Sequence, residues 1–229
     1  YSMGGLWVDY DQMTEIPGLF AAGECDYSQH GANRLGANSL LSAIYGGMVA
    51  GPNAVKYIKG LKKHAEDLPE EIFTRREKEE QEKWEAILKM DGTENAYLLH
   101  KELGEWMTDN MTVVRVNSKL EETYKKLTEL QERWENININ DTQKWSNQGA
   151  HFTRQLKNML YLAKVMTKGA LLRNESRGAH YKPEFPERDD ENFLKTTMAK
   201  FDPATGEPII TYQEVDVSLI PPRKRDYSK

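Results

Sequence analysis

The chain has 229 residues, 38% of them apolar, which is enough to bury one sizeable core or two modest ones. Acidic residues outnumber basic ones by 36 to 31 and the pI is near 5.7, so no overall basic field exists to hold nucleic acid. The longest apolar stretch, Leu40 to Gly51, falls short of the roughly 20 residues that span a bilayer. A lone cysteine, Cys25, forms no internal disulfide, and with no secretory leader it points to a reducing, cytoplasmic setting.

Residues 1 to about 60 are rich in glycine and poor in charge. Leu6-Trp7-Val8 and Leu19-Phe20-Ala21-Ala22 are β-prone runs separated by polar, turn-forming residues and Pro17-Gly18, and a buried strand is expected there. A loop follows from Cys25 to Ala37. A helix of small and apolar residues is then expected from Asn38 or Ser39 to about Lys59, capped by one of those two side chains. Gly46, Gly47, Ala50 and Gly51 suit close packing against another element. The next zone, about 61 to 174, is charged and helical. Glu70 to Leu88 and the segment around Leu99, Leu103, Trp106 and Met107 read as two helices. Val113, Val116, Leu120, Tyr124, Leu127, Leu130 and Trp134 share one helix face, and Phe152 to Ala170 repeat the pattern. Residues 136 to 141 suit a connection. The expected result is an antiparallel bundle of three or four helices, with the tryptophans at 84, 106, 134 and 145 in its core or an interface. The last zone, 175 to 229, contains a hairpin, Thr196 to Phe201 and Ile209 to Val215, around Pro203-Ala204-Thr205-Gly206, and ends in an extended tail at Pro221 to Arg225. The fold class is therefore α+β.

Several residues invite a chemical reading. Arg34, in His30-Gly31-Ala32-Asn33-Arg34-Leu35-Gly36-Ala37-Asn38-Ser39-Leu40-Leu41, carries a planar fork of donors that matches a carboxylate at two points; without the surrounding stretch it would read as a surface ion pair. Glu24 follows an apolar run and a glycine, a place where a carboxylate accepts from ribose-type hydroxyls or simply lies in an exposed loop. Ser39 and Leu40 open the small-residue helix, where free N–H groups and the positive end of the dipole favour negative charge. His64 and His100 read as surface residues, while His151 and His180 have no spacing that demands a metal, and none is expected. Cys25 reads as a small buried filler.

Four stretches occur in an order that resembles the succinate dehydrogenase and fumarate reductase flavoprotein family. They are Tyr1-Ser2-Met3-Gly4-Gly5, Pro17 to Glu24, His30 to Leu41, and Glu175-Ser176-Arg177-Gly178-Ala179-His180 with Phe185 to Asn192. The resemblance implies the C-terminal part of an FAD-binding α/β domain (residues 1–60), a helical bundle (61–174) and a tail with a hairpin (175–229). It implies that Arg34 binds a carboxylate of succinate or fumarate, that Glu24, Ser39 and Leu40 contact FAD, and that hydride passes between substrate and flavin. Electrons would go to an iron–sulfur subunit held with a membrane-anchor subunit, placing the protein at the cytoplasmic face of the cell membrane. Arg177, Arg188, Asp189 and Asp190 would pair to pin the tail to the flavin domain. The family's pattern also uses a histidine just before Tyr1, a glycine-rich FAD loop, in many members a histidine that carries covalent flavin, and a proton-transfer arginine. None of these lies in the chain, which opens without methionine, so a fragment that is inactive alone is expected. L-aspartate oxidase shares the Arg34 stretch, and a helical interaction module fits the periodicity alone; these are the alternative readings.

Overall fold

A computed structural model describes residues 1–223 and divides the chain into two compact units, Tyr1–Ile87 and Leu88 onward. The change of unit falls at the last residue of the second helix, whereas composition places a change of zone near residue 60.

The first unit holds helix α1 (Asn38–Gly60), helix α2 (Glu70–Leu88, whose final residue falls in the second unit) and a 3-10 turn at Gly23–Cys25. The expected buried strand does not form. Each β-prone run finds a single bridge, Leu6 with Asp26 and Met13 with Phe20, and one bridge cannot build a ladder. What these runs do make is a folded loop: Gly18 takes φ +84° between Met13 and Phe20, and Val8 and Ala21 are buried. Helix α1 begins where expected, but neither Asn38 nor Ser39 caps it. The cap position is Ala37, left-handed at φ +64°, with no side-chain bond to the helix. Of the small residues in α1, Gly46 serves close packing, since a Cβ there would sit 3.2 Å from Ala22 Cβ and 3.3 Å from Gly23 N. Gly47 and Gly51 have open space at the same place. Cys25 is exposed, with its thiol 3.3 Å from Ala22 O, because the 3-10 turn directs it outward instead of into a core. Helix α2 carries its charges as i,i+3 and i,i+4 pairs, including Arg76 with Glu79 and Glu80, both at 2.9 Å.

The second unit is a three-helix bundle of α3 (Ala96–Met111), α4 (Asn117–Trp134) and α5 (Gln148–Leu172), followed by a one-turn helix α6 (Asp190–Phe193) and an antiparallel hairpin of β1 (Lys195–Phe201) and β2 (Pro208–Glu214). Three helices form it, within the expected three or four. Leu99, Leu120, Leu127, Leu130, Leu156 and Leu160 are fully buried, each on the face their spacing marks. Val113 and Val116 precede α4, and Val113 is exposed; the chain breaks there because Thr112, the residue after α3, leaves helical geometry. Trp134 is buried and its indole N–H donates to Thr153 O at 2.8 Å, whereas Trp145 is 88% exposed, outside any core. The hairpin closes with Gly206 at φ +70° and pairs Phe201 with Pro208 through Lys195 with Glu214, each strand starting one residue earlier than the sequence suggests. The expected extended tail lies partly outside the described residues.

The segment between α5 and the hairpin ties the helix ends together. His180 is buried, and its Nε2 faces Arg173 O at 2.9 Å; a carbonyl only accepts, so that nitrogen carries the proton and Nδ1 accepts from Arg115 at 2.6 Å. Lys182 is fully buried and donates to Leu171 O, near the C-terminal end of α5, and to Asn117 and Asn174 side chains. Glu184 accepts from Asn117 N at 2.9 Å, satisfying the start of α4, whose cap residue Val116 has no side chain able to do so. Glu175, fully buried, pairs with Arg173 and with Arg177 at 2.9 Å, and Arg177 bonds Asp190 at 2.7 Å. The charge pairs expected of Arg177, Arg188 and Asp190 therefore close within this unit, and Asp189 uses its carboxylate to cap α6 through Asn192 N. They do so because Glu175, two residues away, offers both oxygens to Arg177.

Burial, and secondarily the cations around it, pushes the His180 pKa from 6.5 down to about 4. The unfolded chain then takes up the proton first, so the stability that neutral His180 contributes is full above 6.5 and is lost as pH falls towards 4. Denaturant unfolding across this window should show that loss, and His180→Gln should flatten it; an unchanged slope would contradict the buried neutral ring. At Ala37, a β-branched residue is strained by the left-handed backbone, so Ala37→Val should cost about 1–2 kcal/mol while Ala37→Gly costs nothing or stabilises. Equal melting temperatures for the two variants would reject that cap.

Candidate functional site

The site is built at the start of α1. Gly46 lets the helix approach the Ala22–Gly23 backbone, and Gly23, at φ +83°, turns the chain into the 3-10 element that carries Glu24. A Cβ on Gly23 would meet Ala43 at 3.4 Å, so this turn lies directly against the second turn of α1. The first turn has no side-chain cap, and its leading N–H groups have no partner within the helix.

Glu24 is exposed, and its Oε1 accepts from Ser2 N at 2.7 Å. Ser2 follows Tyr1, whose ring lies 5.5 Å from Arg34 Cζ and meets the His30 ring edge-on at 4.8 Å and 89°. His30 Nε2 lies 3.0 Å from Ser42 Oγ, and Ser42, buried in α1, donates to Ser39 O at 2.8 Å. Arg34 is half-buried and spends one N–H on Leu35 O at 3.2 Å. Of the residues singled out by sequence, Arg34, Ser39 and Glu24 thus belong to one connected group. Leu40 stands apart: it is 77% exposed, so what it offers is its backbone position at the helix start. The connecting residues, Tyr1, Ser2, His30 and Ser42, were not assigned these contacts by sequence. Tyr1, Ser2 and His30 stand inside the resembling stretches, while Ser42 carries no local signal beyond its place one turn into the helix.

The chemistry of this group suits FAD. Uncapped helix N–H groups offer donors for an anionic edge, and the flanking Leu35, Leu40 and Leu41 are 63%, 77% and 64% exposed, an apolar border fit for a flat ring. Among the described residues no group of three or more His, Cys, Asp and Glu is placed to hold a metal, and no helix is long and apolar enough to cross a membrane.

Comparison with known proteins places this geometry in context. The fumarate reductase flavoprotein C-terminal family matches residues 100–227, and an FAD-binding domain family matches residues 1–40. The succinate dehydrogenase flavoprotein subunit of Bacillus subtilis is 71% identical over 229 residues, covering 100% of this chain and 39% of the relative. The fumarate reductase flavoprotein subunit of Escherichia coli is 36% identical, covering 99% of this chain and 37% of that one. A solved structure of a variant E. coli quinol fumarate reductase superposes with a TM-score of 0.88 at 34% identity, over 98% of this chain and 38% of that chain. The chain thus spans about two-fifths of the length of these relatives. A family match over more than half the residues, together with an FAD-binding match that ends at Leu40 and takes in Arg34 and the opening of α1, shows that the chain belongs to the succinate dehydrogenase/fumarate reductase flavoprotein family.

Proposed function

We propose that the whole protein interconverts succinate and fumarate, and that this chain supplies the carboxylate clamp and one wall of the flavin site. FAD, when bound, supplies the two-electron acceptor or donor for the hydride. The observation that carries the reading is the placement of the Arg34 guanidinium over Tyr1, linked through His30 and Ser42 to the uncapped start of α1.

A guanidinium has five N–H donors, of which Arg34 uses one internally. The remaining fork suits a substrate carboxylate in two-point fashion, and that grip orients the carbon whose hydrogen is to move. Ser39 and Leu40 contribute backbone N–H groups at the helix start, which stabilise negative charge on the cofactor side of the pocket. Glu24 would accept from a cofactor hydroxyl with the oxygen not turned to Ser2, while its present bond to Ser2 N sets the course of the first residues. The proton moved in the reaction is not assigned to any residue of this chain.

The names of the relatives, flavoprotein subunits of succinate dehydrogenase and fumarate reductase, favour this reading over an L-aspartate oxidase or a helical interaction module. Those relatives are named as subunits of larger complexes; transfer of electrons to an iron–sulfur partner held with a membrane anchor at the cytoplasmic membrane face is part of the same proposal and follows from the family resemblance of the sequence.

In the full-length protein, Arg34→Ala should lower succinate turnover by at least about 100-fold, because misplacement of a bound substrate by an ångström is enough to do so. Bound flavin should remain visible by absorbance. Turnover near that of the unaltered protein would reject Arg34 as the clamp.

A further inference from the structure

We propose that Tyr1, fastened by His30 and Ser42, is a positioning residue that aims the Arg34 guanidinium. The proposal rests on the reading of Arg34 as the carboxylate clamp. Arg34 sits in a loop with little packing of its own: Gly31 takes φ +55°, and neither Gly31 nor Gly36 has an atom within 4 Å of where a Cβ would stand. Among the described residues its side chain hydrogen-bonds only to the neighbouring Leu35 O. The Tyr1 ring, 5.5 Å from Cζ, attracts the cation through its negative π face.

That ring is itself held. Ser42 has spent its only proton on Ser39 O, so its oxygen must accept from the other two groups that face it. His30 Nε2, 3.0 Å away, is therefore a donor, and Tyr1 OH, 3.5 Å away, can add only a long, weak bond, so the ring is held chiefly through His30. The His30 ring then meets the Tyr1 ring edge-on, the favourable aromatic arrangement. Because Ser42 is 6% exposed and lies one turn into α1, the orientation of Arg34 is referred to the same rigid helix that presents its N-terminal amides. Clamp and helix start thus share one mechanical reference, which is what two-point orientation of a substrate requires.

The test uses full-length, flavin-loaded protein and steady-state succinate kinetics. Tyr1→Leu should raise KM for succinate about fivefold, the size expected of a partly exposed cation–π contact, with kcat changed less and flavin absorbance retained. Tyr1→Phe should recover most of the loss, since it keeps the ring. In an Arg34→Ala background, Tyr1→Leu should add almost nothing. An unchanged KM in Tyr1→Leu, a Tyr1→Phe variant as poor as Tyr1→Leu, a fully additive double variant, or loss of flavin on Tyr1→Leu would each overturn the proposal. Near-normal turnover of Arg34→Ala itself would instead sink the clamp reading, whereas severe loss there with a silent Tyr1→Leu rejects the platform alone.

Discussion

The first unit depends on one close approach, the backbone of Ala22–Gly23 against Gly46 of α1. Room for only a hydrogen at position 46 brings the chain within 3.2–3.3 Å of where a side chain would begin. The positive φ of Gly23 then turns the chain against Ala43 and sends Glu24 towards Ser2. From that contact follow the position of Tyr1 beside Ser42, the aromatic pair of Tyr1 with His30, and the place of Arg34. A larger residue at Gly46 would push the helix start from the turn, and one at Gly23 would strain the left-handed backbone that makes the turn; either change would cost the group its common frame.

The second unit is organised differently. Its core is a run of fully buried leucines, but the ends of its helices are satisfied by side chains outside those helices: Glu184, 67 residues away, for α4, Lys182 for α5, and the nearby Arg115 for the end of α3 through Met111 O and Thr112 O. Burying Lys182 among neutral acceptors pushes its pKa down to about 8, and burial of His180 keeps that ring neutral. The Glu175-to-His180 stretch is thus a structural lock within the unit.

Helices were legible because periodic apolar residues bury one face: Leu120, Leu127 and Leu130 stand where their spacing predicts, as do Leu156 and Leu160. The hairpin was legible from its turn residues. The strand at Leu19–Ala22 was not, since β-propensity reports a preference that becomes a strand only with consecutive partners. The bundle has three helices, the lower of the two expected numbers, and Glu70–Leu88 forms a helix of the first unit, because its periodicity marks a helix without saying what it packs on. The cap at Ala37 went unread because alanine gives no sign of a left-handed backbone. At the site, Arg34, Glu24 and Ser39 were reachable through resemblance alone. Ser42 and the Tyr1–His30 pair depend on contacts across 12 to 41 residues, which no local pattern encodes.

The functional account reduces to where one cation points, and that is open to direct observation. A structure of the full-length protein with FAD and a dicarboxylate such as malonate should place two Arg34 nitrogens within hydrogen-bond distance of one carboxylate, with the Tyr1 ring still beneath the guanidinium. A dicarboxylate bound elsewhere, with Arg34 turned away from it, would contradict the account.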